Sequence, residues 1–153
     1  MTGLEADFLL QNEAATEAFG ARIAGGLAPG DAVLLSGDLG AGKTVLARAI
    51  LRARGVTENV PSPTFTLVQA YETADLVLRH FDLYRIENAR DLDELGLDDA
   101  LDEGAILVEW PERAPGRLPK DSLKITLESM GEAARAAHVS APERWRKFLS
   151  EAA

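Results

Sequence analysis

Apolar and polar positions along the chain switch repeatedly between strand and helix spacing. Phe8 to Gln11 predicts a short strand, and Asn12 then suits the N-cap of a helix. That helix would carry its apolar stripe on Ala15, Ala18, Phe19, the stem of Arg22 and Ile23, and end at Gly25 and Gly26. After the turn LAPGD, Ala32 to Leu35 is a continuous apolar run, the mark of a strand buried on both faces. From Lys43 to Arg54, the residues Val45, Leu46, Ala49, Ile50 and Ala53 recur at helical spacing, and Gly55 closes that helix. The segment between strand and helix is rich in glycine.

Downstream, the prolines of VPSPTF force a stiff, extended loop. TFTLVQAY and DLVLRHFDLYRI read as an antiparallel hairpin turning around Thr73 to Asp75. Ala89 to Leu101 is acidic and reads as one helix, with Leu92, Leu95 and Leu101 facing the core and the charges solvated. AILVEWP is a second buried-strand run, SLKITLES alternates as a half-buried strand does, and AAHVSA is a weaker strand. Pro142 suits the first turn of a short terminal helix. Residues 1–153 show no repeat, low-complexity stretch or linker, so one domain is expected.

Composition narrows the chemistry. There is no cysteine, which removes disulfides, thiolate nucleophiles and cysteine-held zinc, and the histidines His80 and His138 are too few and too separated for a metal cluster. Any metal must be held by oxygen. Acidic residues number 25 against 16 basic ones, for a net charge of −9, which disfavours a broad nucleic-acid surface. The small basic groups at Arg48, Arg52, Arg54 and at Arg144, Arg146, Lys147 read as solvated helix faces. No apolar run has the length of a membrane span and the start of the chain is acidic, so a cytoplasmic protein is expected.

The glycine-rich segment is SGDLGAGKT. Gly37, Gly42, Lys43 and Thr44 fit G-x-x-x-x-G-K-[ST], whose small residues let successive backbone N–H groups converge on phosphate oxygens at a helix N-terminus. Gly37, Asp38, Leu39, Gly40, Ala41, Gly42, Lys43 and Thr44 are therefore candidate nucleotide-binding residues. Lys43 would reach the β- and γ-phosphates and the Thr44 hydroxyl would enter a Mg²⁺ shell. Such a site also needs a carboxylate at the end of a neighbouring buried strand, and both Glu109 and Asp82 qualify as metal-binding and catalytic candidates, with the cleaner apolar run favouring Glu109. Thr64 and Thr66 in the proline loop could sense a γ-phosphate, and Trp110 could pack on nucleotide or partner, although each could equally serve the fold. Asn-Lys-x-Asp is absent, which points to adenine rather than guanine.

The ordered set SGDLGAGKT, SPTFTLV, HFDLYR and LVEWP resembles the TsaE family, also called YjeE, across about residues 10–140. The resemblance implies an α/β fold, a single P-loop ATPase domain with a mixed central sheet flanked by helices, binding ATP or ADP with magnesium. It also implies an ancillary role in tRNA threonylcarbamoyladenosine synthesis: TsaD performs the modifying chemistry, TsaD and TsaB are the partners, tRNA is met only through their complex, and no membrane is involved. Turnover would be weak without the partners, and the net acidity agrees with docking to protein rather than gripping RNA. Residue by residue, the resemblance carries the phosphate loop onto Gly37 to Thr44, the switch-like segment onto Ser62 to Thr66, and the conserved acids and indole onto Asp82, Glu109 and Trp110. It offers Glu13 and Arg135 for the adenine pocket. Val45 stands where many members have a second hydroxyl, so any contact from that group is missing here. Two other readings of the loop remain open, a small-molecule kinase, for which no arginine-bearing lid is evident, and a nucleotide-dependent binding module.

Overall fold

The computed structural model describes residues 3–38, 41–60 and 67–149. Its centre is a mixed seven-stranded sheet in the order β1-β7-β6-β2-β5-β4-β3. The strands are β1 (Leu4–Leu10), β2 (Ala32–Ser36), β3 (Val68–Glu72), β4 (Val77–Asp82), β5 (Gly104–Glu109), β6 (Leu123–Ser129) and β7 (Arg135–Ala141). The helices are α1 (Glu13–Gly26), α2 (Lys43–Ala53), α3 (Ala89–Asp93), α4 (Leu97–Glu103) and α5 (Arg146–Leu149). Strands β6, β2, β5 and β4 run parallel, while β3 and β7 pair antiparallel at either side and β1 pairs antiparallel with β7.

The two fully apolar runs became the central strand β2 and its neighbour β5 because side chains of a strand alternate between faces and both faces here are covered. Val33 and Leu35 of β2 and Ala105 and Leu107 of β5 pack with α1 and α2, alongside Phe19, Ile23, Leu46 and Ile50. Ala32, Leu34, Ile106 and Val108 face the other way, into a smaller core with Phe81, Leu92, Leu97 and Ala100. Strand β6 buries alternate residues only, and its outward positions Lys124, Thr126 and Glu128 are exposed.

Several local expectations change. Asn12 does cap α1, its side chain accepting from the Ala15 N–H at 2.8 Å, but the buried stripe runs through Thr16, Phe19, Gly20 and Ile23, and Ala18 is exposed. A Cβ on Gly20 would stand 2.6 Å from the Ala49 Cβ, so glycine permits the close approach of α1 to α2. Ala53 is likewise exposed, and Leu51 takes its place in the core. The first strand is longer than its apolar signal, reaching back to Leu4, because β7 offers a seven-residue partner for it.

The expected helix from Ala89 to Leu101 is instead two short ones. Gly96 sits in the left-handed region at φ 73, which breaks α3 from α4, and Asn88 caps the first by accepting from the Asp91 N–H. Leu92, Leu97 and Ala100 are buried there, with Leu95 and Leu101 only partly so. The basic group on α2 does more than meet solvent: Arg48 donates to the Val60 carbonyl, and Arg52 to those of Val56 and Glu58, fastening the segment that follows the helix. No helix among the described residues is long and apolar enough to cross a membrane.

Candidate functional site

Strand alternation brings the site together. On β4 the positions Leu78, His80 and Asp82 share one face, and on β5 Ala105, Leu107 and Glu109 do, the face on which α2 lies. Parallel pairing then sets Asp82 directly beside Glu109 at the ends of their strands. Both acids are buried, at 5% and 3% exposure. Buried carboxylates need donors. Glu109 has them in the Thr44 hydroxyl, 2.9 Å from Oε2 and 3.1 Å from Oε1, and in His80 Nε2, 2.7 Å from Oε2. The Tyr84 backbone N–H donates to Asp82 Oδ1 at 3.0 Å.

Thr44 occupies the first turn of α2, whose N-cap Gly42 is left-handed at φ 102. Gly37, where the chain leaves β2, also has positive φ, at 140. These two positions require glycine for the turn that leads from strand to helix. Lys43 folds over this loop and donates to the carbonyls of Gly37 at 2.5 Å and Asp38 at 2.8 Å. Its ammonium also lies 4.3 Å from the centre of the Trp110 ring. Burial pushes the Lys43 pKa down, against the pull of Glu109, Glu112, Asp82 and Asp38.

Trp110 directly follows β5 in the left-handed region at φ 60, turning its indole toward Lys43 and onto Tyr84, whose ring centre is 4.8 Å away. For a residue with a Cβ this backbone costs about 1 kcal/mol or more, held here by the Trp110 N–H bond to the Leu35 carbonyl at 3.3 Å and by the ring contacts.

Of the residues singled out from sequence, Gly37, Asp38, Ala41, Gly42, Lys43, Thr44, Asp82, Glu109 and Trp110 cluster at the ends of β2, β5 and β4. Arg135, at the start of β7, packs on the loop: a Cβ added to Gly42 would collide with its Nε. That Nε is buried and has no hydrogen-bond partner among the described residues. Glu13 instead lies along α1 and α2, in a groove of about 520 Å³ shared with Glu17, Val45, Arg48 and Arg52. Leu39, Gly40, Thr64, Thr66 and Ser62 lie outside the described residues.

Sequence reasoning missed His80 and Tyr84. A histidine inside the apolar run LVLRHF was the available signal, since a polar side chain on a buried strand must find a partner.

Residues 10–137 match the family described as Threonylcarbamoyl adenosine biosynthesis protein TsaE. The chain belongs to the TsaE family. Among relatives named tRNA threonylcarbamoyladenosine biosynthesis protein TsaE, that of Rickettsia felis is 40% identical over 81% of this chain and 73% of its own length. That of Bacillus subtilis is 40% identical over 68% of this chain and 65% of its own. The crystal structure of Bacillus subtilis YdiB superposes with a TM-score of 0.79 at 29% identity, covering 99% of this chain and 95% of that one. The TsaE family works in tRNA threonylcarbamoyladenosine biosynthesis, and the mixed sheet with flanking helices is the fold that the resemblance implied.

Proposed function

We propose that this TsaE-family chain is a magnesium-dependent ATPase that binds ATP and ADP on the Gly37 to Thr44 loop. It regulates or resets a TsaD–TsaB complex in the cytoplasm and does not itself transfer the threonylcarbamoyl group. The observation that carries this reading is the Thr44–Glu109 contact, with Asp82 in register alongside and Lys43 one residue before the threonine.

The donor chemistry fits both ligands. Backbone N–H groups at the α2 N-terminus and the Lys43 ammonium suit phosphate oxygens, and Lys43 now rests on loop carbonyls that phosphate oxygens would replace. Thr44, Glu109 and Asp82 are hard oxygen donors of the kind magnesium prefers. When bound, magnesium would neutralise charge between the terminal phosphates. Glu109, sharing the Thr44 hydroxyl, is assigned to the metal side, and Asp82 to orienting the attacking water. Lys43 stabilises charge on the phosphoryl group, and Trp110 shields that ammonium from water.

Partner dependence follows if TsaD or TsaB completes this half-open site. The test is ATP turnover with and without TsaD and TsaB. Stimulation by the pair is expected; absence of stimulation, with ATP still bound, would favour a nucleotide-dependent binding module.

A further inference from the structure

His80 is wholly buried on β4, the second strand from one edge of the sheet, at 0% exposure, beside one of the two acids. Its Nε2 is 2.7 Å from Glu109 Oε2, and its Nδ1 is buried with no hydrogen-bond partner among the described residues. An orphaned N–H in that position would be costlier than an orphaned lone pair, so the proton belongs on Nε2, aimed at the carboxylate. Glu109 is thereby gripped from two directions, by His80 from β4 and by Thr44 from α2.

We propose that His80 is the positioning residue of the site: as the Nε2–H tautomer it pins Glu109 Oε2 and so fixes the carboxylate plane against Thr44. Without that donor, the one hydrogen bond left to the carboxylate among the described residues comes from a hydroxyl that is itself a rotor. A metal-binding carboxylate needs such an outer partner, because its orientation decides how well the ion is held. The imidazole occupies a position two residues before Asp82 on the same strand face, so one short stretch of β4 supplies both an acid and the support of its neighbour. This inference rests on the assignment of Glu109 to magnesium.

The test is ADP affinity measured calorimetrically with and without magnesium in the full chain, for wild type, H80F, H80Q and E109Q. H80F keeps a ring but no donor, and H80Q keeps an amide N–H within reach of the Nε2 position. Magnesium-free affinity is expected within about twofold of wild type in H80F, while the magnesium enhancement falls about tenfold and H80Q regains most of it. Equal losses in H80F and H80Q, or an unchanged enhancement in H80F while E109Q loses it, would overturn the role of His80 alone. An enhancement unchanged in E109Q would overturn the assignment beneath it. In the unmodified protein, nitrogen-15 spectra of His80 are expected to report the Nε2–H tautomer, and an Nδ1–H tautomer would sink the inference even if H80F failed to fold.

Discussion

The Lys43 ammonium sits over the face of Trp110, 4.3 Å from the ring centre, while donating to two carbonyls of its own loop. A ring so placed must sense any rearrangement of the lysine. The second tryptophan, Trp145, is 1% exposed in the core beneath α1. W145F therefore leaves a reporter for the site alone. Its fluorescence is expected to change on addition of ADP or ATP, and K43A is expected to weaken nucleotide binding about tenfold or more, since a hydrogen bond to a charged group is worth roughly 1.5–3 kcal/mol. Calorimetric affinity unchanged in K43A would remove the lysine from the site.

The two acids make different predictions from the core around them. Asp82 and Glu109 stand side by side in buried strand ends, so each isosteric amide keeps its volume and most of its contacts. D82N and E109Q are expected to melt within a few degrees of wild type and to lose partner-stimulated turnover by about a hundredfold, D82N through the water it orients and E109Q through the magnesium it holds. Full turnover in either variant would exclude that residue from the chemistry.

Gly42 and Arg135 form a packed pair at the rim of the loop. A methyl group at Gly42 would meet the Arg135 side chain and would also sit at φ 102. G42A is therefore expected to lower the melting temperature through both effects, with the backbone part costing about 1–2 kcal/mol. In G42A with R135A the steric part is relieved and the backbone part stays, so recovery should be partial. Complete recovery would show that the conformation at Gly42 carries no strain, and R135A alone should weaken ADP binding if the arginine faces nucleotide.

A pH dependence comes from the exposed side of the sheet. His138 on β7 lies between Asp7 of β1, with Nδ1 2.6 Å from Oδ1, and Glu128 of β6, with Nε2 3.7 Å from Oε1. The hydrogen bond to Asp7 holds the imidazole pKa above its ordinary 6.5. A folded-state value above the unfolded one adds stability that is full below the unfolded value and lost as pH rises through the folded one. The melting-temperature difference between wild type and D7N should thus be larger at about pH 6 than at about pH 9. A difference that grows with pH would reverse the assignment.

Much of this molecule was determined by local pattern. Continuous apolar runs marked β2 and β5, because a strand covered on both faces has no polar side to show. Gly37 and Gly42 marked the loop, because only glycine adopts their backbone easily, and the carboxylates closing two such runs marked the acids. The split of α3 from α4 at Gly96 had the same signal, a glycine, but local pattern did not say that this one would adopt a left-handed backbone.

Apart from the β3–β4 hairpin, which the turn around Thr73 to Asp75 marked, only the tertiary structure decided which strands became neighbours. Parallel pairing of β4 with β5 joins residues far apart in the chain, and no local periodicity encodes that choice. From it follow the register of Asp82 with Glu109, the bond from His80 to Glu109 and the reach of Thr44 to the same carboxylate. The positions of Arg135 on Gly42 and of Glu13 in a groove along α1 and α2 are likewise products of packing between distant segments. Spacing could nominate the groups, while contact required the sheet.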